Sequence, residues 1–266
     1  MKFLRIGILI LFAVVFLVFG WMFIDEKINQ DKTLPVITVD SEMLEVSLNA
    51  DEAELLKGVT AYDEKDKDIT EKIIVESVSN FIDEDEGICK VTYAVCDNDN
   101  HVAKKTRKIK YKNYISPRFQ VTESTCYSIY ERINLSNVIK ATDCIDGDIS
   151  KQVIITSENY TKSVAGVFSV TATVTNKKGD VSTVDIPIIV EDRSLGAPTI
   201  ELKEYLIYTK MGAKPDFKKM IVSATDSNQN DLTDDVKIQS NINYKKEGIY
   251  SVHYYVTDSE GERGHT

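Results

Sequence analysis

The chain has 266 residues, 42% of them hydrophobic, and 32 basic against 42 acidic side chains give a formal charge of −10. At about 150 residues per domain the length suggests one or two domains, and the acidic balance argues against nucleic acid as a partner. Five prolines and twelve glycines are too few for a collagenous or low-complexity chain, and four cysteines are too few for a disulfide-dense miniature fold.

Ile6 to Ile24 (IGILILFAVVFLVFGWMFI) contains no charged residue. As a helix it would span roughly 28 Å, the thickness of a bilayer's hydrocarbon core. Lys2 and Arg5 precede it and Asp25 and Glu26 follow. The positive-inside rule then places the N-terminus in the cytoplasm and the remainder outside, with Trp21 as an interfacial anchor. The competing reading is a signal peptide cleaved after Gly20, but the apolar run is longer than the usual stretch of about 7–15 residues and continues past that point. The expectation is a single-pass anchor over residues 1–24, followed by a polar tether over residues 25–34 (DEKINQDKTL). Because the first 24 residues carry two basic and no acidic side chains, the exported part has 30 basic against 42 acidic, a net −12.

The exported part repeats itself three times. Each copy opens on a proline and an alternating strand, at Pro35–Val39, Pro117–Val121 and Pro198–Leu202. Each then reaches an acidic loop carrying Asp63, Asp66 and Asp68 in the first copy, Asp143, Asp146 and Asp148 in the second, and Asp226 and Asp231 in the third. Each finally shows a glycine and strict alternation, at Gly87–Asp97, Gly166–Asn176 and Gly248–Asp258. A period of two means strands, so Cys89, Val91, Tyr93 and Val95 share one face, as do Phe168, Val170, Ala172 and Val174, and Tyr250, Val252, Tyr254 and Val256. Seven or so short strands per copy describe an antiparallel two-sheet sandwich. The predicted fold class is therefore all-β, with tandem immunoglobulin-like sandwiches over residues 35–114, 115–193 and 197–266 after one transmembrane helix. The third copy stops soon after Gly261, so its last strand is expected to be missing. The chain is then a fragment of a longer protein, or a strand from another molecule completes the edge.

These motifs resemble bacterial Ig-like repeats: Pro-x-Ile at the start, Ala-Thr-Asp-x-x-Asp-Gly-Asp-Ile-Ser in the middle, and Gly-x-x-x-Val-x-Tyr-x-Val-x-Asp near the end. They are similar to the Ig-like domain first named from a pesticidal crystal protein, and more distantly to hyalin-type and cadherin-like repeats. The second copy fits best, whereas Lys67 replaces the glycine in the first and Gln229 the middle aspartate in the third. The resemblance implies a cell-surface or secreted sandwich with no catalytic residues to transfer.

The acidic loops are the candidate site. Asp143, Asp146 and Asp148 are possible Ca²⁺ ligands, since hard oxygen donors around a glycine turn suit that ion. The alternative is that they cap backbone N–H groups, and no cofactor is otherwise expected. Cys89 is expected in the core and cannot reach Cys96, on the opposite face of its strand. A disulfide between Cys126 and Cys144 is open. His101, His253 and His265 are scattered in sequence, with His101 and His265 expected to be solvated, while Lys104 to Lys110 reads as a solvated face or an edge guard. Asn134 and Asn159 match glycan-acceptor triplets, and Tyr127, Tyr130 and Tyr160 are candidates for stacking on sugars. The functional expectation is a non-enzymatic, membrane-anchored spacer, adhesion or presentation protein. A glycan- or protein-binding module and the accessory stalk of an enzyme lying beyond Thr266 are the alternatives.

Overall fold

A computed structural model describes residues 2–29, 32–156 and 164–266. Asn159 and Tyr160 lie outside the described residues. The chain divides into two compact units, one of residues 1–82 and 88–112 and the other of residues 83–87 and 113–266.

The first unit begins with helix α1 (Lys2–Asn29). Its Ile6–Ile24 segment is long and apolar enough to cross a membrane, and none of it is buried against protein. The strands follow as β1 (Val36–Val39), β2 (Met43–Val46), β3 (Val59–Asp63), β4 (Lys67–Asp68), β5 (Ile74–Val78), β6 (Ile88–Cys96) and β7 (Val102–Tyr111). They form a sheet in the order β1-β3-β4 and a second in the order β2-β7-β6-β5. A turn of helix, α2 (Glu52–Leu55), is capped by the Asp51 carboxylate, which accepts from the Glu54 N–H. Alternation in β6 delivers Cys89, Val91, Tyr93 and Val95 to the core, each at most 1% exposed, so the two sheets face each other across those side chains.

In the second unit, β8 (Arg118–Val121), β9 (Cys126–Ser128), α3 (Leu135–Val138), β10 (Ile139–Asp143), β11 (Gly147–Asp148), β12 (Ile154–Thr156), β13 (Gly166–Thr175) and β14 (Val181–Glu191) build the second copy. Its sheets are β11-β10-β8 and β12-β13-β14-β9. The third copy comprises β15 (Thr199–Leu202), β16 (Ile221–Thr225), β17 (Lys237–Ser240), β18 (Val252–Thr257) and β19 (Arg263–His265), in sheets β15-β16 and β17-β18-β19.

All-β Ig-like sandwiches are therefore the architecture, with three corrections of detail. Pairing is antiparallel except that β2 runs parallel to β7 and β9 parallel to β14. The opening segment leaves one sheet after its first strand and joins the other beside the last strand, which runs the same way. Second, a closing strand is present in the third copy, where Arg263–Thr257 and His265–Tyr255 pair in the ladder. Third, the alternating run from Gly248 forms a strand only from Val252, and Val252 is half-buried, whereas its counterparts Val91 and Val170 are fully buried.

Candidate functional site

The acidic loops are built alike. Asp63 and Asp143 end β3 and β10, Asp226 follows β16, and all three are buried. Each turns its carboxylate back on the loop. Asp63 Oδ1 accepts the N–H groups of Lys65 and Asp66, both at 2.9 Å, and Asp143 Oδ1 those of Ile145 and Asp146, both at 2.8 Å. Asp226 Oδ1 accepts from Asn228 at 2.9 Å and Asn230 at 2.8 Å. The next carboxylates, Asp68, Asp148 and Asp231, accept from the N–H groups of Thr70, Ser150 and Thr233 at 3.0, 2.9 and 2.9 Å. Hydrogen bonding from the hydroxyls of Thr70, Ser150 and Thr233, and then from those N–H groups, favours the ionised form, so all three carboxyls lie below their ordinary value.

The middle carboxylates reach across to the turn between the last two strands. Asp66 Oδ2 accepts from the Asn98 N–H at 2.7 Å, and Asp146 Oδ2 from the Lys177 N–H at 2.7 Å. Burial acts to raise the Asp146 carboxyl, but Lys177, with its Nζ 2.8 Å from Oδ1, outweighs it and holds the group below its ordinary value. Asn176 completes the second copy's loop end by donating from Nδ2 to Asp143 Oδ2 at 3.2 Å and to the Tyr114 hydroxyl at 2.9 Å. Tyr114 in turn donates to Asp180 Oδ2 at 2.6 Å.

Asp143, Asp146 and Asp148 each have one carboxylate oxygen that accepts from backbone N–H groups, the capping arrangement that the sequence offers as the alternative to calcium. Among the described residues no group of three or more His, Cys, Asp or Glu side chains is arranged to hold a metal ion.

Other sequence candidates fall elsewhere. Cys126 and Cys144 are not joined: Cys126 is buried with its Sγ 3.8 Å from His265 Nε2, and the exposed Cys144 donates to the Ile115 carbonyl at 3.2 Å. The open disulfide is thus absent, and burial pushes the Cys126 thiol up to about 12. Tyr127 is buried in the second copy's core, and Tyr130 is exposed with its hydroxyl on Asp192. Asn134 caps α3. His101 is held by Asp97, with Nδ1 2.7 Å from Oδ2. Arg107, in the basic stretch, is only 2% exposed and bonds Asp40 at 3.2 Å and the Lys57 carbonyl at 2.9 Å, because β7 is an interior strand rather than a guarded edge.

Two features carried no sequence signal. The first joins the second and third copies: His265, expected in solvent, is 6% exposed. Its Nδ1 lies 2.8 Å from Glu191 Oε1 and its Nε2 3.0 Å from His253 Nδ1, and the Tyr255 ring stacks on it at 4.3 Å. Adjacent β18 and β19 bring the two histidines together although twelve residues separate them. The second is a cleft of about 460 Å³ in the third copy, lined by Tyr205, Tyr208, Phe217, Tyr244 and Tyr250 together with Ile207 and Ile249. Its tyrosines come from segments some 40 residues apart, so no local motif marks it.

Residues 207–266 match the family described as bacterial surface protein, Ig-like domain. Over 134 residues the chain is 36% identical to the pesticidal crystal protein Cry22Aa of Bacillus thuringiensis, a match covering 50% of this chain and 18% of that protein. The chain thus spans less than a fifth of that relative. Among solved structures, CBM51-2 in complex with GlcNAc and INT domains from Clostridium perfringens ZmpB aligns at 21% identity over 56% of this chain and 26% of that one, with a TM-score of 0.24. Drosophila N-cadherin EC1-4 aligns at 14% identity over 88% of this chain and 66% of that one, also at 0.24. The lipoprotein BT2262 from Bacteroides thetaiotaomicron aligns at 15% identity over 59% and 80%, at 0.21. Residues 207–266 are thus similar to bacterial surface Ig-like domains, and the resemblance of the repeats to bacterial Ig-like domains stands.

Proposed function

We propose that the chain is a non-enzymatic surface protein, held by its N-terminal helix in the cell membrane, whose tandem Ig-like domains act outside the cell in spacing, adhesion or presentation. The observation that carries this reading is the combination in one chain of an unburied apolar helix, Ile6–Ile24, with repeated Ig-like sandwiches. A helix with no polar face has no stable home in water, and a bilayer supplies one. The charge step from Lys2 and Arg5 to Asp25 and Glu26 favours the repeats on the outer side. The loop carboxylates support a structural role, since each holds backbone N–H groups of its loop or of the facing turn. The test is protease treatment of intact cells with an antibody against the repeats, beside membrane fractionation. Loss of the repeat signal from intact cells and a membrane-bound residual fragment are expected. Protected repeats, or a chain wholly in the soluble cytoplasmic fraction, would overturn the reading.

A further inference from the structure

The outer face of the first copy's larger sheet, β2-β7-β6-β5, carries a charge pattern that the fold does not require. Alternation sends Cys89, Val91 and Tyr93 inward, so Lys90 on β6 and Lys104, Lys108 and Lys110 on β7 lie on the opposite face. The first three are exposed and Lys110 is half-buried. Lys90 stands directly across the ladder from Lys108, which sets their Cβ atoms about 5 Å apart, a like-charge arrangement that costs stability. The neighbours along that row are Met43 on β2 and Ser79 just after β5, neither of them charged. The acids on this face stand at its margins, where Glu76 pairs with Lys104 and Glu45 lies opposite Lys110. Met43, Ile74 and Val102, on the same face, are 42%, 56% and 54% exposed, so aliphatic side chains are interspersed with the ammonium groups. The second copy is an internal control. Aligned by Val170 opposite Ile186, where the first copy has Val91 opposite Arg107, it puts Ser169, Thr183, Pro187 and Ile189 in place of the four lysines. The same sandwich is thus built without them, and they are concentrated on one face of a chain whose formal charge is −10.

We propose that this face docks on the anionic phosphate headgroups of the membrane that the N-terminal helix spans, an inference that rests on the anchor reading above. Eleven residues, 25–35, separate Ile24 from β1, so even a fully extended connection of about 40 Å keeps the first copy beside the headgroup layer. Ammonium groups on four-carbon stems reach phosphate oxygens while Met43, Ile74 and Val102 enter the interface between them. That combination of positive charge and apolar area is what holds a protein at an anionic lipid surface. Headgroup phosphates also relieve the Lys90–Lys108 repulsion, because a shared counter-charge favours keeping both ammonium groups together.

The experiment uses the full chain reconstituted into vesicles of phosphatidylcholine, alone or with about one third phosphatidylglycerol, and measures the acetylation rate of each lysine by mass spectrometry. Lys219, on the third copy with its side chain 80% exposed, is the internal reference. Relative to it, Lys90 and Lys108 are expected to react at least about threefold more slowly on the anionic vesicles, with the difference lost at about 1 M salt, where the screening length shrinks to ~3 Å. K90E/K108E is expected to abolish the protection of Lys104 and Lys110 without lowering the denaturant midpoint, since both substituted positions are exposed. Trp21 emission in the same samples reports insertion of the helix. An inserted helix with equal labelling on both vesicle types overturns the headgroup contact and leaves the anchor reading standing. A helix that stays outside both bilayers overturns the anchor reading. The contact is then supported if the chain still sediments with the anionic vesicles alone, and overturned if it does not. Protection that grows with protein density in the neutral vesicles overturns the choice of lipid in favour of the acidic loops of a second copy.

Discussion

Lys67 stands at φ +69° and Gln229 at φ +65°, in the left-handed region where a Cβ is strained, while Gly147 occupies the same position as Lys67 at φ +72°. Lys67→Gly is therefore expected to raise stability by about 1 kcal/mol, and Gly147→Ala to lower it by a similar amount, in urea unfolding of the chain. A Cβ at Gly147 meets nothing within 4 Å, so the loss would come from backbone strain alone. The neighbouring carboxylates predict calcium indifference: melts with millimolar calcium and with chelator should superimpose, since Asp143 and Asp146 already accept from N–H donors. His265 gives a pH dependence. Burial lowers its pKa from 6.5 against the opposing pull of Glu191, and His253 and Arg193 disfavour its charge further. A histidine whose folded pKa lies below its unfolded one contributes stability that is complete above the unfolded value and is lost as pH falls through the window beneath it. The unfolding midpoint of the second unit should drop as pH falls below about 6.5, and His265→Gln should flatten that part of the profile.

At the scale of elements, the two-sheet sandwich depends on a few ties from strand to loop. Tyr93, fully buried on β6, donates its hydroxyl to the Leu55 carbonyl at 2.7 Å and so fixes the end of α2. Tyr254 on β18 makes the equivalent bond to the Phe217 carbonyl at 3.0 Å, whereas the second copy has Ala172 at that position. Tyr93→Phe keeps the ring and orphans a carbonyl, and it should cost about 1–2 kcal/mol, read as a lower denaturant midpoint with unchanged slope. The alternation that placed Tyr93 inside was legible because residues two apart on a strand share a face. The parallel pairing of β2 with β7 and of β9 with β14 was not, since period two says which face is buried and nothing about which strand lies alongside. For the same reason Lys104 to Lys110 reads as solvated by composition, yet Arg107 is buried: its partners, Asp40 and the Lys57 carbonyl, come from distant segments.

Over the whole molecule, the sole tryptophan, Trp21, reports on the helix alone. In vesicles its emission should be blue-shifted and quenched by brominated lipids, and unfolding the repeats with urea should leave it unchanged. An emission spectrum typical of water, insensitive to brominated lipid, would place the helix outside a bilayer. The stability of the repeats is in turn spread unevenly. The second copy's core gathers thirteen buried side chains, including Phe119, Ile139 and Ile188, whereas the third copy's gathers four. The third copy is expected to open first in hydrogen exchange, because little apolar surface opposes its local unfolding.

By itself the sequence determined the apolar helix, the threefold repeat, the β-sandwich class and the faces of the central strands. These follow from local periodicity, which a residue's immediate neighbours impose on the backbone. Only the tertiary structure decided which backbone N–H groups the loop carboxylates accept from, Asp146 reaching across to Lys177. It likewise brought Glu191, His253 and His265 together at one junction. Each of these is set by which distant segments lie side by side, and a hydrogen bond across 30 to 80 residues leaves no mark on the pattern of either segment.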